Sequence, residues 1–334
     1  MAAMPSLKSE WPGFWDVPED DALSVSRPQG QDLARFLWWD GEIRESEHQH
    51  VHYYANALHY GTAVFEGIRV YPTDKGPALF RPRAHIERLL ASARLYGMEV
   101  PFSEEELIRA AVEVTSKNGI HNGYIRPLVF FGHGPIDLSP KKLCPVHAFI
   151  AVRGLGTFLG EGALRNGIRV TVSSWRKFSH NMLPTMAKAS GHYANSVLAQ
   201  HEALDRGCQD AILLNQCGTV SSATGENVFY VKNGTLITND ESSSIVPGIT
   251  RDSVLTLARE NEIPVAIRAF TREELLRADE IFLTGTAAEV TPVRELDGVE
   301  YATGKRTFGA LFQRAYLRAA TGKSPKHMDW LTLV

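Results

Sequence analysis

The chain has few cysteines, no block of like charge and no long hydrophobic run in its 334 residues. Cys144, Cys208 and Cys217 are odd in number and lack both a Cys-x-x-Cys motif and the spacing of metal ligands, so the sequence indicates no disulfide framework and no metal site. No apolar stretch reaches the length of a membrane span or of a signal-peptide core. These absences predict a cytoplasmic protein whose thiols are free in a reducing compartment.

The charge balance is close to neutral, with 35 Lys and Arg against 38 Asp and Glu and a formal net charge of −3. A basic patch for nucleic acid or for a membrane surface is therefore not indicated, and the predicted partners are small molecules. What is present is an ordinary globular composition, 44% hydrophobic and 22% charged, which suffices for two domains that share an interface.

Helix and strand patterns alternate along the chain and predict an α/β protein. Capping boxes begin helices at Ser103 and Thr271, and Asn233-Gly234 marks a β-hairpin. The three glycines of residues 153–160 indicate a flexible interdomain connection, and their spacing does not match the G-x-G-x-x-G dinucleotide motif. The predicted organisation is an N-terminal arm over 1–34, a small α/β domain over 35–152, an interdomain loop over 153–163 and a large domain over 164–334.

Lys188 stands out because it is the only charged side chain between Lys177 and Glu202. Its neighbours Met186 and Ala187 predict a buried aliphatic stem, and burial is expected to lower the pKa of the amine toward the neutral nucleophile that attacks a carbonyl. The alternative is a lysine that reaches solvent from an apolar helix end. The segment therefore predicts Schiff-base chemistry if the rest of the chain supplies a site for an aldehyde cofactor.

Two segments have the features of an anion site. Residues 247–253 place a turn and the predicted N-cap Thr250 directly before a helix, whose free backbone N–H groups lie at the positive end of the helix dipole. Thr286 lies in a second junction of small residues, 284–289, where its hydroxyl and the following amides can face an anion. An ordinary capped helix and a simple turn are the alternatives for these two segments.

Several polar side chains fall on faces that are predicted to be buried. Arg88 lies beside Leu89 on the apolar face of its helix, so it is expected to pair with a carboxylate of the fold or with a bound phosphate. Tyr124 and Arg126 point to one face of a strand, which suits carboxylate recognition or an ion pair at a sheet edge. The segment 57–67, rich in aromatic residues and glycine, fits either a substrate wall or domain core.

Taken together, these motifs resemble those of the fold-type IV pyridoxal-phosphate enzymes, most closely the branched-chain amino acid aminotransferases. The resemblance runs from about Phe36 to Trp330-Leu331. Its carriers are the segments Ala57–Arg69, His85–Arg88, Tyr124–Pro127, Ala187–Tyr193, Gly225–Asn227, Pro247–Asp252 and Gly285–Val293. It implies a two-domain α/β fold of the D-amino acid aminotransferase type, with a smaller N-terminal and a larger C-terminal domain, in a homodimer or higher homo-oligomer.

The resemblance also implies a role for each matching residue. Lys188 would form the Schiff base with pyridoxal 5'-phosphate and move the proton between the substrate Cα and the cofactor, while Tyr193 would hydrogen-bond the cofactor's phenolic oxygen. The implied phosphate-binding residues are Arg88, Ile249, Thr250 and Thr286. The implied substrate-binding residues are Tyr60, Phe65, Tyr124, Arg126, Leu155, Phe158, Ala287 and Ala288.

The residue expected beside the pyridine nitrogen of the cofactor differs from the family pattern. The family carries a glutamate four residues before the glutamate of Gly-Glu-Asn, whereas this chain has Ser222 four residues before Glu226. A serine can only hydrogen-bond a neutral ring nitrogen, while a glutamate keeps the ring protonated as a stronger electron sink. Ser222 and Glu226 are both predicted to lie near the cofactor, and whether Glu226 or a water molecule replaces the missing acid stays open.

The sequence predicts a pyridoxal-phosphate-dependent aminotransferase of branched-chain amino acid metabolism, which acts on a hydrophobic amino acid and a 2-oxo acid through Lys188. Leu155 and Phe158 stand where the branched-chain enzymes usually carry Trp and Tyr, so 2-oxoglutarate is not fixed as the acceptor. Ser222 leaves two alternatives. One is β-elimination or other non-transaminating chemistry on the same fold, and the other is a catalytically retired homologue that binds the cofactor as a scaffold.

Overall fold

The computed structural model describes residues 34–156 and 162–334, and two β-sheets with flanking helices account for most of them. The predicted N-terminal arm lies outside the described residues except for Ala34, and so does Phe158. Among the described residues, no helix is both long and apolar enough to span a membrane.

The first half of the chain supplies the elements of the first sheet and the helices beside it. In chain order they are β1 (Phe36–Trp39), β2 (Glu42–Glu45), α1 (Asn56–Tyr60), β3 (Ala63–Phe65), β4 (Ile68–Thr73), β5 (Gly76–Phe80), α2 (Pro82–Leu95), α3 (Glu104–Lys117), β6 (Gly123–Phe131), α4 (Pro140–Leu143) and β7 (Val146–Gly154).

The second half supplies the second sheet, its helices and one strand that returns to the first sheet. In chain order they are α5 (Ala163–Asn166), β8 (Ile168–Arg176), α6 (Tyr193–Asp205), β9 (Asp210–Leu214), β10 (Val220–Ala223), β11 (Asn227–Lys232), β12 (Thr235–Thr238), α7 (Ile249–Glu260), β13 (Val265–Ile267), α8 (Arg272–Leu276), β14 (Glu280–Gly285), β15 (Glu289–Leu296), β16 (Val299–Glu300), α9 (Phe308–Ala320) and β17 (Leu331–Leu333).

The two sheets differ in how their strands are paired. In the described chain the first sheet has the order β17-β5-β4-β6-β7-β1-β2, with β3 on β6, and its neighbouring strands are antiparallel. The second has the order β10-β9-β8-β15-β14-β11-β12-β13, and its pairs β8–β9, β8–β15 and β12–β13 are parallel. Because β17 pairs with β5, the last residues of the chain belong to the first sheet although the sequence assigned them to the large domain.

The helix caps and the hairpin turn predicted from the sequence are present in the structure. Both predicted capping boxes are present, since the side chains of Ser103 and Thr271 accept from the third residue of α3 and α8. Asn233 and Gly234, with φ of 48° and 75°, form the turn between β11 and β12. The α/β fold predicted from these alternating signals is confirmed.

Each half has its own core, and a third cluster joins the halves. Helices α2 and α3 cover the first sheet with apolar residues such as Ile86 and Val114. One face of the second sheet packs on α7 and α9, and this cluster also includes Tyr71 and Phe80 from the first sheet. The shared core fixes α2 beside the second half, where it contributes Arg88 to the pocket described next.

Candidate active site

Lys188 is held by backbone contacts between β3 and α2. Its amide donates to Ser92 Oγ at 3.1 Å, and its carbonyl accepts from the Phe65 amide at 3.0 Å. Ala187 is fully buried, as expected, but Met186 is 45% exposed, so it does not shield the lysine stem as predicted. The main chain, more than neighbouring apolar side chains, therefore sets the position of Lys188.

The Lys188 amine donates to Tyr193 Oη at 2.6 Å and lies 5.0 Å from the centre of the Phe65 ring. Burial lowers the pKa of Lys188, but the Tyr193 oxygen and the Glu66 carboxylate favour the ammonium, and the net pKa is raised. The expectation of a lowered pKa is wrong for this pocket because the sequence pattern does not show these two oxygen-bearing neighbours.

Arg88 is fixed by a buried carboxylate. Its Nε and Nη2 donate to Glu66 at 2.6 Å and 2.9 Å, and Nη1 donates to the Pro247 carbonyl at 2.6 Å. His85 Nδ1 lies 2.8 Å from the same carboxylate. Burial raises the pKa of Glu66, but Arg88 and His85 together hold it well below its ordinary value. Of the two expected partners, the structure shows a carboxylate, and Arg88 still lines the pocket.

Helix α7 begins at the pocket without a side-chain cap. Its N-cap is Gly248, and Thr250 is the second helical residue, so the prediction of Thr250 as N-cap is wrong. A Cβ at Gly248 would lie 2.1 Å from Asn227 Oδ1, so any larger residue would have to displace the Asn227 side chain. The free N–H groups of this first turn, with Ile249 and Thr250 lining the pocket, form the kind of cradle that binds phosphate.

The β14–β15 connection lies at the same pocket. Thr284, Gly285 and Thr286 line it, and Ala287 and Ala288 complete the turn to β15. Among residues 34–156 and 162–334, the buried Thr284 hydroxyl has no hydrogen-bond partner. A buried hydroxyl of this kind is suited to a bound molecule that carries acceptor atoms.

Ser222 and Glu226 form another part of the wall, and both are buried. Glu226 accepts from the Gly225 amide at 2.9 Å. Burial, and then the neighbouring Asp210 carboxyl, raises the pKa of Glu226 well above its ordinary value. Asp210 is itself anchored by Thr224 Oγ1 at 2.7 Å. Glu226 therefore presents a neutral carboxyl to the pocket.

All the residues predicted to be catalytic or to bind the cofactor line one pocket. They are Arg88, Lys188, Tyr193, Ser222, Glu226, Ile249, Thr250 and Thr286. The space between these residues, including open solvent at its mouth, is about 640 Å³. The amine, the uncapped helix start and the partnerless Thr284 hydroxyl fit a phosphorylated aldehyde such as pyridoxal 5'-phosphate.

The residues predicted to bind the substrate lie outside this pocket lining, as far as the structure describes them. Phe65 is adjacent to it, with its ring 4.9 Å from that of Tyr193. Arg126 donates to Tyr124 Oη at 3.3 Å and lies over the Phe65 ring, so the predicted shared face exists. Tyr60 is 41% exposed, and Leu155 is half-buried at the end of β7.

Sequence reasoning missed several lining residues, chiefly Lys177, Ser196 and Thr284. Lys177 directly follows β8, and Thr284 lies at the end of β14. The available signal was their position at strand ends, where the clefts of α/β sheets form. Ser196 gave no sequence signal, because its place depends on the packing of α6.

The sequence model of the family described as "Amino-transferase class IV" matches residues 63–296. The chain belongs to this family. The branched-chain-amino-acid aminotransferase of Escherichia coli (strain K12) is 42% identical to this class IV aminotransferase over 302 residues, which cover 90% of this chain and 98% of that protein.

Solved structures give the same picture of the fold. The branched-chain amino acid aminotransferase of Thermoproteus uzoniensis with norvaline is 40% identical, with a TM-score of 0.85 over 89% of this chain and 98% of that one. Another branched-chain amino acid aminotransferase, solved with pyridoxamine 5'-phosphate, is 42% identical, with a TM-score of 0.86 over 90% and 98%. The predicted two-domain fold and the predicted aminotransferase activity of this class IV aminotransferase are thereby confirmed.

Proposed function

We propose that this class IV aminotransferase uses pyridoxal 5'-phosphate to exchange an amino group between a hydrophobic, branched-chain-like amino acid and a 2-oxo acid. The observation that carries the proposal is the 2.6 Å contact from Lys188 Nζ to Tyr193 Oη, in a pocket that also receives the uncapped start of α7. Branched-chain substrates are named for relatives 42% identical to the chain.

The cofactor supplies an aldehyde that condenses with amines and an aromatic ring that withdraws electrons from the substrate Cα–H bond. Lys188 Nζ would be the amine that binds the aldehyde once its extra proton has passed to solvent, and Tyr193 Oη, which accepts from it at 2.6 Å, would orient it. Once the amino acid had displaced Lys188, the free Nζ would be the base that moves the proton from the substrate Cα to the cofactor.

The other described residues bind and orient. Ile249, Thr250 and Thr286 would hold the phosphate through backbone amides and hydroxyls, with the Arg88 guanidinium at the same wall. Arg88 also bonds to the Pro247 carbonyl and so keeps the start of α7 in place.

We assign the substrate side to the residues next to this wall. The turn of Ala287 and Ala288 would receive the substrate carboxylate, and Phe65, Tyr124 and Arg126 would form the side-chain pocket together with Tyr60, Leu155 and Phe158. Support comes from the contact of Arg126 with the Tyr124 hydroxyl and the Phe65 ring. A Cβ at Gly67 would lie 1.7 Å from Tyr124 Oη, so Gly67 leaves the room that this hydroxyl occupies.

We further propose that the enzyme acts as a cytoplasmic homodimer. Support comes from a group of exposed apolar side chains on two segments that contact each other, since Asn56 Nδ2 donates to the Asp137 carbonyl at 3.0 Å and exposed apolar patches are typical of interfaces. The group comprises Tyr53, Tyr54, Leu58, Ile136 and Leu138. Sedimentation of the purified protein should give twice the chain mass, and a monomer at micromolar concentration would contradict this assignment.

The test uses purified protein with pyridoxal 5'-phosphate, L-leucine or L-valine as donor, and 2-oxoglutarate as acceptor. We expect the cofactor spectrum to change from the aldehyde to the amine form with the donor alone, and glutamate to appear once the acceptor is added. Lys188→Ala should abolish both. Lys75→Met, which removes an exposed lysine from the β4–β5 turn, is the matched control and should change neither.

Other outcomes separate the alternatives. Release of ammonia without conversion of the cofactor to its amine form would indicate elimination instead of transamination. A protein that binds the cofactor but converts it with no amino acid, or that takes up no cofactor from a large excess, would be a catalytically retired scaffold. A cofactor that converts with other amino acids but with neither leucine nor valine would overturn only the substrate class.

A further inference from the structure

Lys177 is a second amine in the pocket, eleven positions before Lys188. Lys177 is buried, with 8% of its surface exposed. Within the described residues its Nζ has no hydrogen-bond or ion-pair partner, and it lies 4.9 Å from the centre of the Phe178 ring. A buried amine without an acid is costly, so its retention here points to an acceptor atom on a bound molecule.

The groups that surround Lys177 do not compensate its charge. Burial, and then the Lys188 ammonium, lowers the pKa of Lys177 to about 8. His192, whose Nε2 lies 2.8 Å from Tyr96 Oη, has its pKa lowered to about 4 by burial and by Lys177. At neutral pH the imidazole is therefore neutral, while Lys177 is mostly an ammonium ion.

The described pocket wall offers no ionised carboxylate. Glu226 is the one acidic residue that lines it, and its burial beside the Asp210 carboxyl raises the pKa of Glu226, which favours the neutral form. Glu66 is committed to Arg88 and His85. A positively charged ring in this pocket would meet ammonium groups and no free anion.

Lys177 is tied by its backbone to the strands that lead to Ser222. The Lys177 amide donates to the Leu214 carbonyl at 2.9 Å, and Leu214 is paired with Val220, two residues before Ser222. Both side chains line the pocket. The pocket therefore combines a hydroxyl with an ammonium donor, a pair suited to a neutral aromatic nitrogen that accepts a hydrogen bond.

We propose that Lys177 is a cofactor-contacting residue, whose ammonium donates to the unprotonated ring nitrogen of pyridoxal 5'-phosphate beside Ser222 and opposes protonation of that nitrogen. The inference rests on the proposed function, because it requires the cofactor in this pocket. Ser222 fits this arrangement, because its hydroxyl can hydrogen-bond to a neutral ring nitrogen. A carboxylate at the same position would favour a protonated ring nitrogen.

The experiment uses holoenzyme loaded with pyridoxal 5'-phosphate that carries an NMR-active isotope at the ring nitrogen. In the wild type, the nitrogen signal should stay at the position of an unprotonated pyridine across the neutral pH range. Lys177→Met should raise the pH at which the nitrogen takes up a proton and should weaken cofactor binding about ten-fold, the loss expected for one charge-assisted hydrogen bond. Lys177→Arg should behave as the wild type, and so should the surface control Lys75→Met.

Ser222→Glu provides the opposite reference, because the new carboxylate should shift the signal to the protonated position. A protonated nitrogen in the wild type would overturn the inference, and so would a Lys177→Met spectrum and affinity that match the wild type. The wild-type spectrum does not depend on whether any variant folds. If the wild type binds no cofactor at all, the proposed function itself fails; if it binds and transaminates with a protonated ring, only the inference fails.

Discussion

Glu66 connects the chemistry of the site to the stability of the fold. Its carboxylate is fully buried, accepts two bonds from Arg88 and contacts His85. The sequence placed Arg88 on a buried face and required an acid for it, but it did not identify Glu66, which lies 22 positions away. The sequence also identified Lys188, yet it predicted the wrong direction of its pKa because the contact with Tyr193 depends on the fold of the 3₁₀ turn at Ser190–His192.

Glu66→Gln should destabilise the protein at neutral pH by about 3 kcal/mol, because Arg88 would stay buried without its carboxylate. The pKa of Glu66 is lowered in the folded state, so its contribution is complete at neutral pH and is lost as the pH falls below the ordinary value of 4.5. Denaturant unfolding at several pH values measures this. The variant should lose less stability than the wild type on acidification.

The matched control is Glu87→Gln, which removes an exposed carboxylate from the same helix, α2. It should change the free energy of unfolding by less than about 0.5 kcal/mol. Equal effects of the two substitutions would contradict the role of the buried ion pair.

At the scale of elements, the start of α7 is where we propose that the phosphate binds. The sequence predicted a cradle over 247–253 and placed the cap at Thr250, because threonine is a common N-cap residue. The structure begins the helix at Ile249 behind Gly248, which is the residue that fits against Asn227. The close approach of two distant segments decided this boundary, and no local pattern reports such an approach.

Gly248→Ala should weaken the binding of pyridoxal 5'-phosphate by at least about ten-fold, because the new methyl group would displace Asn227 and shift the first turn of α7. Titration of the cofactor-free protein with the cofactor measures the affinity. Gly309→Ala is the control, since a Cβ there meets its neighbours at ordinary distances of 3.7 Å or more, in α9. If Gly248→Ala bound the cofactor as the control does, the cradle would not depend on the start of α7.

At the scale of the whole molecule, a shared core makes the two halves one cooperative unit. Tyr71 of β4 is fully buried in the cluster formed by α7 and α9, and its hydroxyl donates to Glu289 Oε1 at 2.6 Å. Burial and Glu289 raise the pKa of Tyr71 well above its ordinary value, so it remains a donor. Glu289 begins β15 directly after the Ala287-Ala288 turn, so this bond joins the first sheet to the wall of the site.

Tyr71→Phe should lower the free energy of unfolding by about 2 kcal/mol, because it leaves a buried carboxylate with one donor fewer. Hydrogen exchange, read by mass spectrometry at several denaturant concentrations, follows the unfolding transition of each sheet separately. The two transitions should shift together. Tyr230→Phe, whose hydroxyl contacts the exposed Arg268, should have a smaller effect. A shift in one sheet alone would mean that the halves unfold separately.

The sequence by itself determined the α/β class, the capped helices α3 and α8, the β11–β12 hairpin, the importance of the Lys188 segment and the family. These follow from short-range patterns and from motifs in a fixed order, which a linear chain displays directly. Only the tertiary structure decided that Arg88 bonds to Glu66, that Gly248 and not Thr250 precedes α7, that β17 returns to the first sheet and that Lys177 faces the pocket. These depend on which distant segments approach each other, and burial then sets the charge of each group.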